Sequence, residues 1–322
     1  MPAVSVVMAA YNVAPYIGDA IESVLNQTYG DLELLVVDDG ATDGTAAIAE
    51  GYAARDPRVR VLRQVNGGLS AARNHGLRVA TGPVIAILDS DDMWEPSYLE
   101  AQIRILDAHR KVDIVTGNAW LLGGRLSGSP ARPWPDGRPA PTLAGMIADE
   151  TAVFIMSVFR RRVYDAIGAF DETLRTNEDY DFWLRAACHG FVFSRNDTPL
   201  GHYRIRGDSL SADEARMLSG ILKVYRKLRP HLLSHPSELA LLDGQIARFE
   251  IEHLAAEARG AIESRDYAAA RHHLSNLHDR RGGATLRVAQ LMARWSPALL
   301  SMIYNHRRAR LAVSRTSRDW TA

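Results

Sequence analysis

The sequence predicts an α/β fold built on an open, mostly parallel sheet, followed by a helical extension. Three observations predict it. Short apolar runs alternate with amphipathic segments through about residue 115. The runs are rich in Val, Ile and Leu and lack the alternation of a half-exposed sheet, so they read as strands covered on both faces. After about residue 209 the pattern is helical almost throughout. A chain of 322 residues has room for one large domain and a smaller appendage.

Taken in order, residues 4–9 form a buried strand. Residues 15–27 form an amphipathic helix with Ile17, Ile21, Val24 and Leu25 on one stripe. A strand at 32–37, a helix at 42–55 and a short strand at 59–62 follow. A helix at 70–80, a strand at 83–88, a helix at 97–109 and a strand at 112–116 complete this half. The Gly- and Pro-rich segment 123–141 reads as a loop or lid. Regularity resumes with a strand at 153–159 and a helix near 161–166. A helix at 178–189 and a strand at 191–194 come next. Residues 255–277 look like one helix–turn–helix hairpin, similar to a single tetratricopeptide unit, and read as a cap. The expected organisation is a catalytic domain at 1–208, with a donor half at 1–115 and an acceptor half at 116–208, and a helical extension at 209–322.

Composition narrows the function. Apolar residues make up 47% and charged residues 24%, a globular balance. Formal net charge is zero, so no overall field favours nucleic acid. The ends differ: residues 1–100 carry 6 Lys/Arg against 14 Asp/Glu, and residues 261–322 carry 11 Arg against 4 Asp/Glu. This implies an acidic site at the front and a basic surface at the back. The single cysteine, Cys188, forbids an intrachain disulfide and fits a reducing cytoplasm. The first residues read as a strand rather than a signal peptide, and no run approaches the roughly 18 apolar residues of a membrane span. There is no G-x-x-x-x-G-K-[ST] loop and no G-x-G-x-x-G after the first strand, which disfavours P-loop and dinucleotide chemistry.

Ligands of open parallel sheets bind beyond the carboxyl ends of the strands. Here those ends carry Ala9-Ala10-Tyr11-Asn12, Asp38-Asp39-Gly40 and Asp89-Ser90-Asp91-Asp92. One aromatic residue and five carboxylates are thus expected at one edge. Crowded like charges need a cation or donors to offset them. An all-oxygen set without Cys or His suits Mg²⁺ or Mn²⁺, which takes its remaining ligands from waters and substrate phosphates. Arg73, in the first turns of the helix at 70–80, is placed for a phosphate. Glu178, Asp179 and Asp181 open a later helix, where acids commonly cap, yet the first half offers no other acceptor-activating base.

As a set these residues resemble inverting family 2 glycosyltransferases of the GT-A fold. The resemblance runs through Val4–Val7 with Tyr11-Asn12, through Ser23–Tyr29 and through Val37–Thr45. It continues through Asn66–Asn74, Leu88–Asp92 and Glu178–Arg185, and fades after about residue 207. It implies that Asp39 accepts a hydrogen bond from the nucleobase, expected to be uracil. It implies that Tyr11 packs on the base, that Ala9 lines the pocket, and that Asp38 belongs to the same donor site. Arg73 is implied to sit near the diphosphate, Asp91 and Asp92 to hold ribose and metal, and Asp89 to assist. Glu178 and Asp179 are the catalytic candidates, and Asp179 is implied to be the general base. In one departure, Ala9-Ala10 replaces the hydroxyl-bearing residues usual before the Tyr.

The expected chemistry is a single in-line displacement that inverts the anomeric centre. The donor is a nucleotide-diphosphate sugar and the acceptor a glycan or lipid-linked hydroxyl, in cell-surface polysaccharide or glycolipid synthesis. The helix N-terminus should favour ionised Asp179. A sugar-phosphate nucleotidyltransferase is the nearest enzymatic alternative and predicts pyrophosphate release without a need for Asp179. A non-catalytic nucleotide-sugar binder predicts binding without turnover. Acceptor choice is expected in 123–141 and in Arg160–Arg162. Residues 285–313 combine apolar positions with Trp295, Tyr304, Arg307, Arg308 and Arg310. They suggest peripheral contact with the inner face of the plasma membrane, or packing within the molecule or a homodimer.

Overall fold

The computed structural model describes residues 1–132, 139–207, 209 and 213–306. The chain divides into two compact units, Met1–Ala212 with Lys223–Leu242, and Asp213–Leu222 with Asp243–Ala322. The strands of the first unit are β1 (Val4–Ala10), β2 (Leu32–Asp38), β3 (Val59–Arg63), β4 (Val84–Ile87), β5 (Met93–Trp94), β6 (Ile114–Leu122), β7 (Ser157–Arg160) and β8 (Phe193–Arg204). Its helices are α1 (Ile17–Leu25), α2 (Thr45–Ala53), α3 (Leu69–Val79), α4 (Tyr98–Ala108), α5 (Leu143–Ala148), α6 (Arg161–Ile167) and α7 (Glu178–Cys188). Helices α8 (Glu214–Leu228) and α9 (Pro236–Glu263) contribute to both units, and α10 (Tyr267–Arg281) and α11 (Ala284–Trp295) belong to the second.

The sheet runs β3-β2-β1-β4-β7-β6-β8-β5. Strands β3, β2, β1 and β4 are parallel, and β6 is parallel to β8. The expected mixed, mostly parallel sheet is therefore present, with β7 inserted antiparallel between β4 and β6 and β5 antiparallel at the edge. Every residue of β1 and β2 is buried. Ser5 and Glu33 are tolerated there because Ser5 Oγ donates to Glu33 Oε1 at 2.7 Å and Thr81 N–H donates to the same oxygen at 2.8 Å. Helix α3 lies close on this layer: a Cβ at Gly76 would stand 2.5 Å from Val7 Cγ1.

Register brings the strand ends together. Ala10 pairs with Asp38, Val7 pairs with Ile87, and Asp39 N–H donates to Ala10 O at 2.9 Å. Strands β6 and β8 extend beyond the expected 112–116 and 191–194, and a bulge at Asn118 keeps them paired to Arg204. The expected strand at 153–159 is shorter, and β5 and α5 were not expected. In the second unit, α9 and α10 form the hairpin expected at 255–277, with Asp266 capping α10 through Ala269 N–H at 3.0 Å. Ala258, Ile262, Ala270, Leu274, Ala293 and Leu300 pack in its core.

Candidate active site

The end of β1 supplies Ala9, 8% exposed, which packs with Val37, Ala72, Leu62 and Leu69. Tyr11, just beyond, is exposed. Asn12 has φ 51° and accepts from Thr42 N–H at 2.8 Å, tying the first strand end to the second. Asp38 turns inward to accept from Ala41 N–H at 2.9 Å. Asp39 is a clamp: Oδ1 accepts from Gln64 Nε2 at 2.7 Å and Gly67 N–H at 2.8 Å, and Oδ2 accepts from Gly68 N–H at 2.9 Å. It fixes the turn into α3, where Gly68 has φ 93°. Oδ2 retains capacity for a further donor.

Beyond β4 the four residues Asp89-Ser90-Asp91-Asp92 divide. Asp89 Oδ1 accepts from Arg73 Nη2 at 2.6 Å. Asp91 Oδ2 accepts from Arg206 Nη1 at 3.0 Å, and Arg204 Nε donates to Asp91 O at 2.9 Å. Asp92 is buried, with Oδ1 accepting from Arg204 N–H at 2.8 Å and Oδ2 unpartnered. Burial and the like charge of Asp89 push Asp91 up, and burial with Asp89 and Asp91 pushes Asp92 well above the usual carboxylate range. Arg204 and Arg206 both lie 4.8 Å from the Tyr16 ring.

Arg73, 2% exposed, spans the site. Its Nη2 holds Asp89 and its Nη1 holds Glu178 at 2.5 Å, so one guanidinium joins the end of β4 to the start of α7. Asp179 follows Glu178 and accepts from Tyr180 N–H at 2.8 Å. Burial, then the Glu178 charge, push Asp179 up to about 6, while Arg73 and the Tyr180 N–H pull it down. Desolvation thus raises Asp179 above the ordinary carboxylate value, yet a value of about 6 still leaves it ionised near neutral pH. Asn177, preceding the pair, has φ 61° and a buried, unpartnered Oδ1.

The predicted residues thus fall into three groups: Ala9, Tyr11, Asp38 and Asp39 at the ends of β1 and β2, Asp89 and Asp91 beyond β4, and Glu178 with Asp179 across the Arg73 bridge. Among the described residues no group of three or more His, Cys, Asp or Glu is arranged to hold a metal ion. Asp89 and Asp91, with side chains 27% and 23% exposed, fit a hard cation that keeps waters and phosphate oxygens, because their mutual repulsion is what such an ion relieves. Asp92, the third residue expected to hold the metal, is 2% exposed, with one oxygen on the Arg204 N–H and the other unpartnered.

Arg160–Arg162 correct an expectation. Arg160 pairs with Val84, at the start of β4 and so away from Asp89, and donates to Val112 O and Leu106 O. Arg161 donates to Gly82 O and Arg162 to Asp113 Oδ1. Sequence reasoning missed Arg204, Arg206 and Arg132. The first two lie at and just beyond the end of β8, both against the Tyr16 ring. Arg132, in the 123–141 segment, lies 4.8 Å from the Phe154 ring and feels the charge of Asp179. Residues 133–138 of that segment lie outside the described residues.

Carboxylates at the ends of parallel strands are thus tied by an arginine to an acid at the start of α7. Residues 5–168 match the family described as Glycosyl transferase family 2, and the chain belongs to that family. It is 34% identical to Bacillus subtilis EpsH over 217 residues, 65% of this chain and 62% of that protein, so the match spans less than two thirds of that relative. It is 30% identical to B. subtilis TuaG, named for teichuronic acid biosynthesis, over 70% of this chain and 88% of that one. The fold matches S. aureus TarS 1-349 in complex with UDP-GlcNAc with a TM-score of 0.65 at 20% identity, covering 95% of this chain and 91% of that one. It matches a Pyrobaculum calidifontis mannosyltransferase in complex with GDP-Man and Mn²⁺ with a TM-score of 0.56 at 19% identity, covering 94% and 87%.

Proposed function

We propose that the protein transfers a sugar from a nucleoside-diphosphate sugar, with uridine as the nucleoside, to an acceptor hydroxyl, inverting the anomeric centre. The observation that carries this reading is the Arg73 bridge, which sets Asp89 on the donor side against Glu178 and the raised Asp179. Asp179 takes the acceptor proton, the acceptor oxygen bonds to the anomeric carbon, and the bond to the diphosphate breaks. A value near 6 leaves Asp179 ionised about ten to one at pH 7 and still basic enough to receive a proton. Glu178 is held by Arg73 and orients the turn rather than accepting the proton. Ala9 and Tyr11 flank the base and Asp39 Oδ2 accepts its N–H. Asp89 and Asp91 would hold Mn²⁺ or Mg²⁺, which supplies charge neutralisation for the departing diphosphate.

Cell-surface polysaccharide or glycolipid synthesis, at the inner face of the membrane, is the setting this reading favours, since TuaG is named for such a polymer. A glycan or lipid-linked acceptor would enter beside Asp179, next to Arg132. The catalytic domain is taken as residues 1–208, with 1–115 meeting the donor. The test is a screen of nucleotide sugars with Mn²⁺, reading nucleotide release and the anomeric configuration of the product. An inverted product from a uridine-linked donor is expected. A retained configuration or pyrophosphate release would overturn the reading.

A further inference from the structure

The second unit carries a surface that the donor site does not use. Helix α11 presents two stripes. Leu286, Ala289, Met292 and Ala293 pack inward on the helical core. On the side away from them lie Val288, Leu291 and Trp295, 48%, 58% and 72% exposed. The chain is again helical over 297–306, where Leu299 and Met302 continue the series, 40% and 62% exposed. Within α11 the steps of 3 and 4 residues keep Val288, Leu291 and Trp295 on one side, and beyond the non-helical Ser296 the step of 3 does the same for Leu299 and Met302. Five of the twelve exposed large apolar side chains among the described residues therefore fall within residues 288–302, on two consecutive helices. Clustering of this kind marks an interaction surface, whereas single exposed apolar residues are ordinary.

Charge identifies the partner. From Arg280 through Arg318 the sequence holds nine arginines and no Asp or Glu. Arg287 and Arg294 flank the stripe on α11, and Arg294 lies 5.1 Å from the Trp295 ring. A symmetric pairing of two copies through α11 would bring Arg287 and Arg294 of one copy towards those of the other; Arg307–Arg318 lie outside the described residues. An anionic surface meets the same face with opposite charge. No helix among the described residues is long and apolar enough to cross a membrane. An apolar stripe with Trp and a basic flank suits a helix lying in the interface plane.

We propose that α11 and the helix over 297–306 dock on an anionic phospholipid surface, with Leu291, Trp295 and Met302 entering the headgroup boundary and Arg287 and Arg294 meeting lipid phosphates. The proposal stands independently of the donor chemistry, because its test needs no turnover.

The experiment is co-sedimentation of the full chain with phosphatidylcholine vesicles, with and without phosphatidylglycerol, at low and high salt. Binding is expected only with phosphatidylglycerol and should weaken with salt. Leu291→Gln with Trp295→Gln should lower partitioning at least about tenfold, and Arg287→Gln with Arg294→Gln should lower it by on the order of tenfold or more. These side chains are solvent-facing, so circular dichroism should report unchanged helix content. No vesicle binding at low salt would overturn the proposal. So would equal binding to neutral vesicles, or a dimer that Leu291→Gln with Trp295→Gln dissociates without change in vesicle binding.

Discussion

Arg73 is the residue on which the site turns. A buried guanidinium is tolerated because two carboxylates offset its desolvation. Arg73→Met keeps the volume and strands Asp89 and Glu178, so chemical denaturation should show a loss of about 3–5 kcal/mol. A loss below about 1 kcal/mol would mean that the bridge does not hold the halves together. Asp179 behaves in the opposite sense. Its folded value, about 6, lies above the ordinary carboxylate value, so the native state favours the proton. That contribution is complete below about pH 4 and is lost as pH rises through 6. Asp179→Asn should therefore raise stability at pH 7.5 by on the order of 1–2 kcal/mol, allowing for its partial exposure, and change little at pH 4. Melting curves at the two pH values check the difference. Cys188 carries no such role, its thiol being pushed up to about 11 by burial.

At the scale of elements, the turn into α3 depends on one side chain. Asp39→Ala removes three hydrogen bonds that fix Gln64, Gly67 and Gly68. It should weaken UDP binding by about 1.5–3 kcal/mol, measured by calorimetry with free UDP. Unchanged UDP affinity would place the base elsewhere. The same scale shows what was legible in the sequence. β1 and β2 were readable because their apolar runs are buried on both faces. The full length of β8 was not: it contains polar residues, Pro199 and Gly201, and is held by pairing to β6 across the Asn118 bulge. The two residues of β5 are too few to show a period. The carboxylates stood out because they follow strands. Arg204 and Arg206 did not, because their partners Asp92 and Asp91 are more than a hundred residues away and only the fold brings them close. The upward shift of Asp179 was not legible, since burial depth is a tertiary property.

For the whole molecule, the strand ends gather Asp38, Asp39, Asp89, Asp91 and Asp92 while the second unit gathers arginines. The paired Asp89 and Asp91 imply that turnover stops with a chelator and returns with Mn²⁺ or Mg²⁺, which an activity assay before and after metal addition reads. Full turnover in excess chelator would contradict the cation assignment while leaving the base assignment open to its own test. That test is the pH dependence of kcat for wild type and Asp179→Asn with the same donor and acceptor. Wild type should lose activity about tenfold per unit below about pH 6. Asp179→Asn should be slower by on the order of 10²–10⁴-fold and should lack that limb. A variant with near wild-type turnover, or one that keeps the same acid limb, would contradict the account.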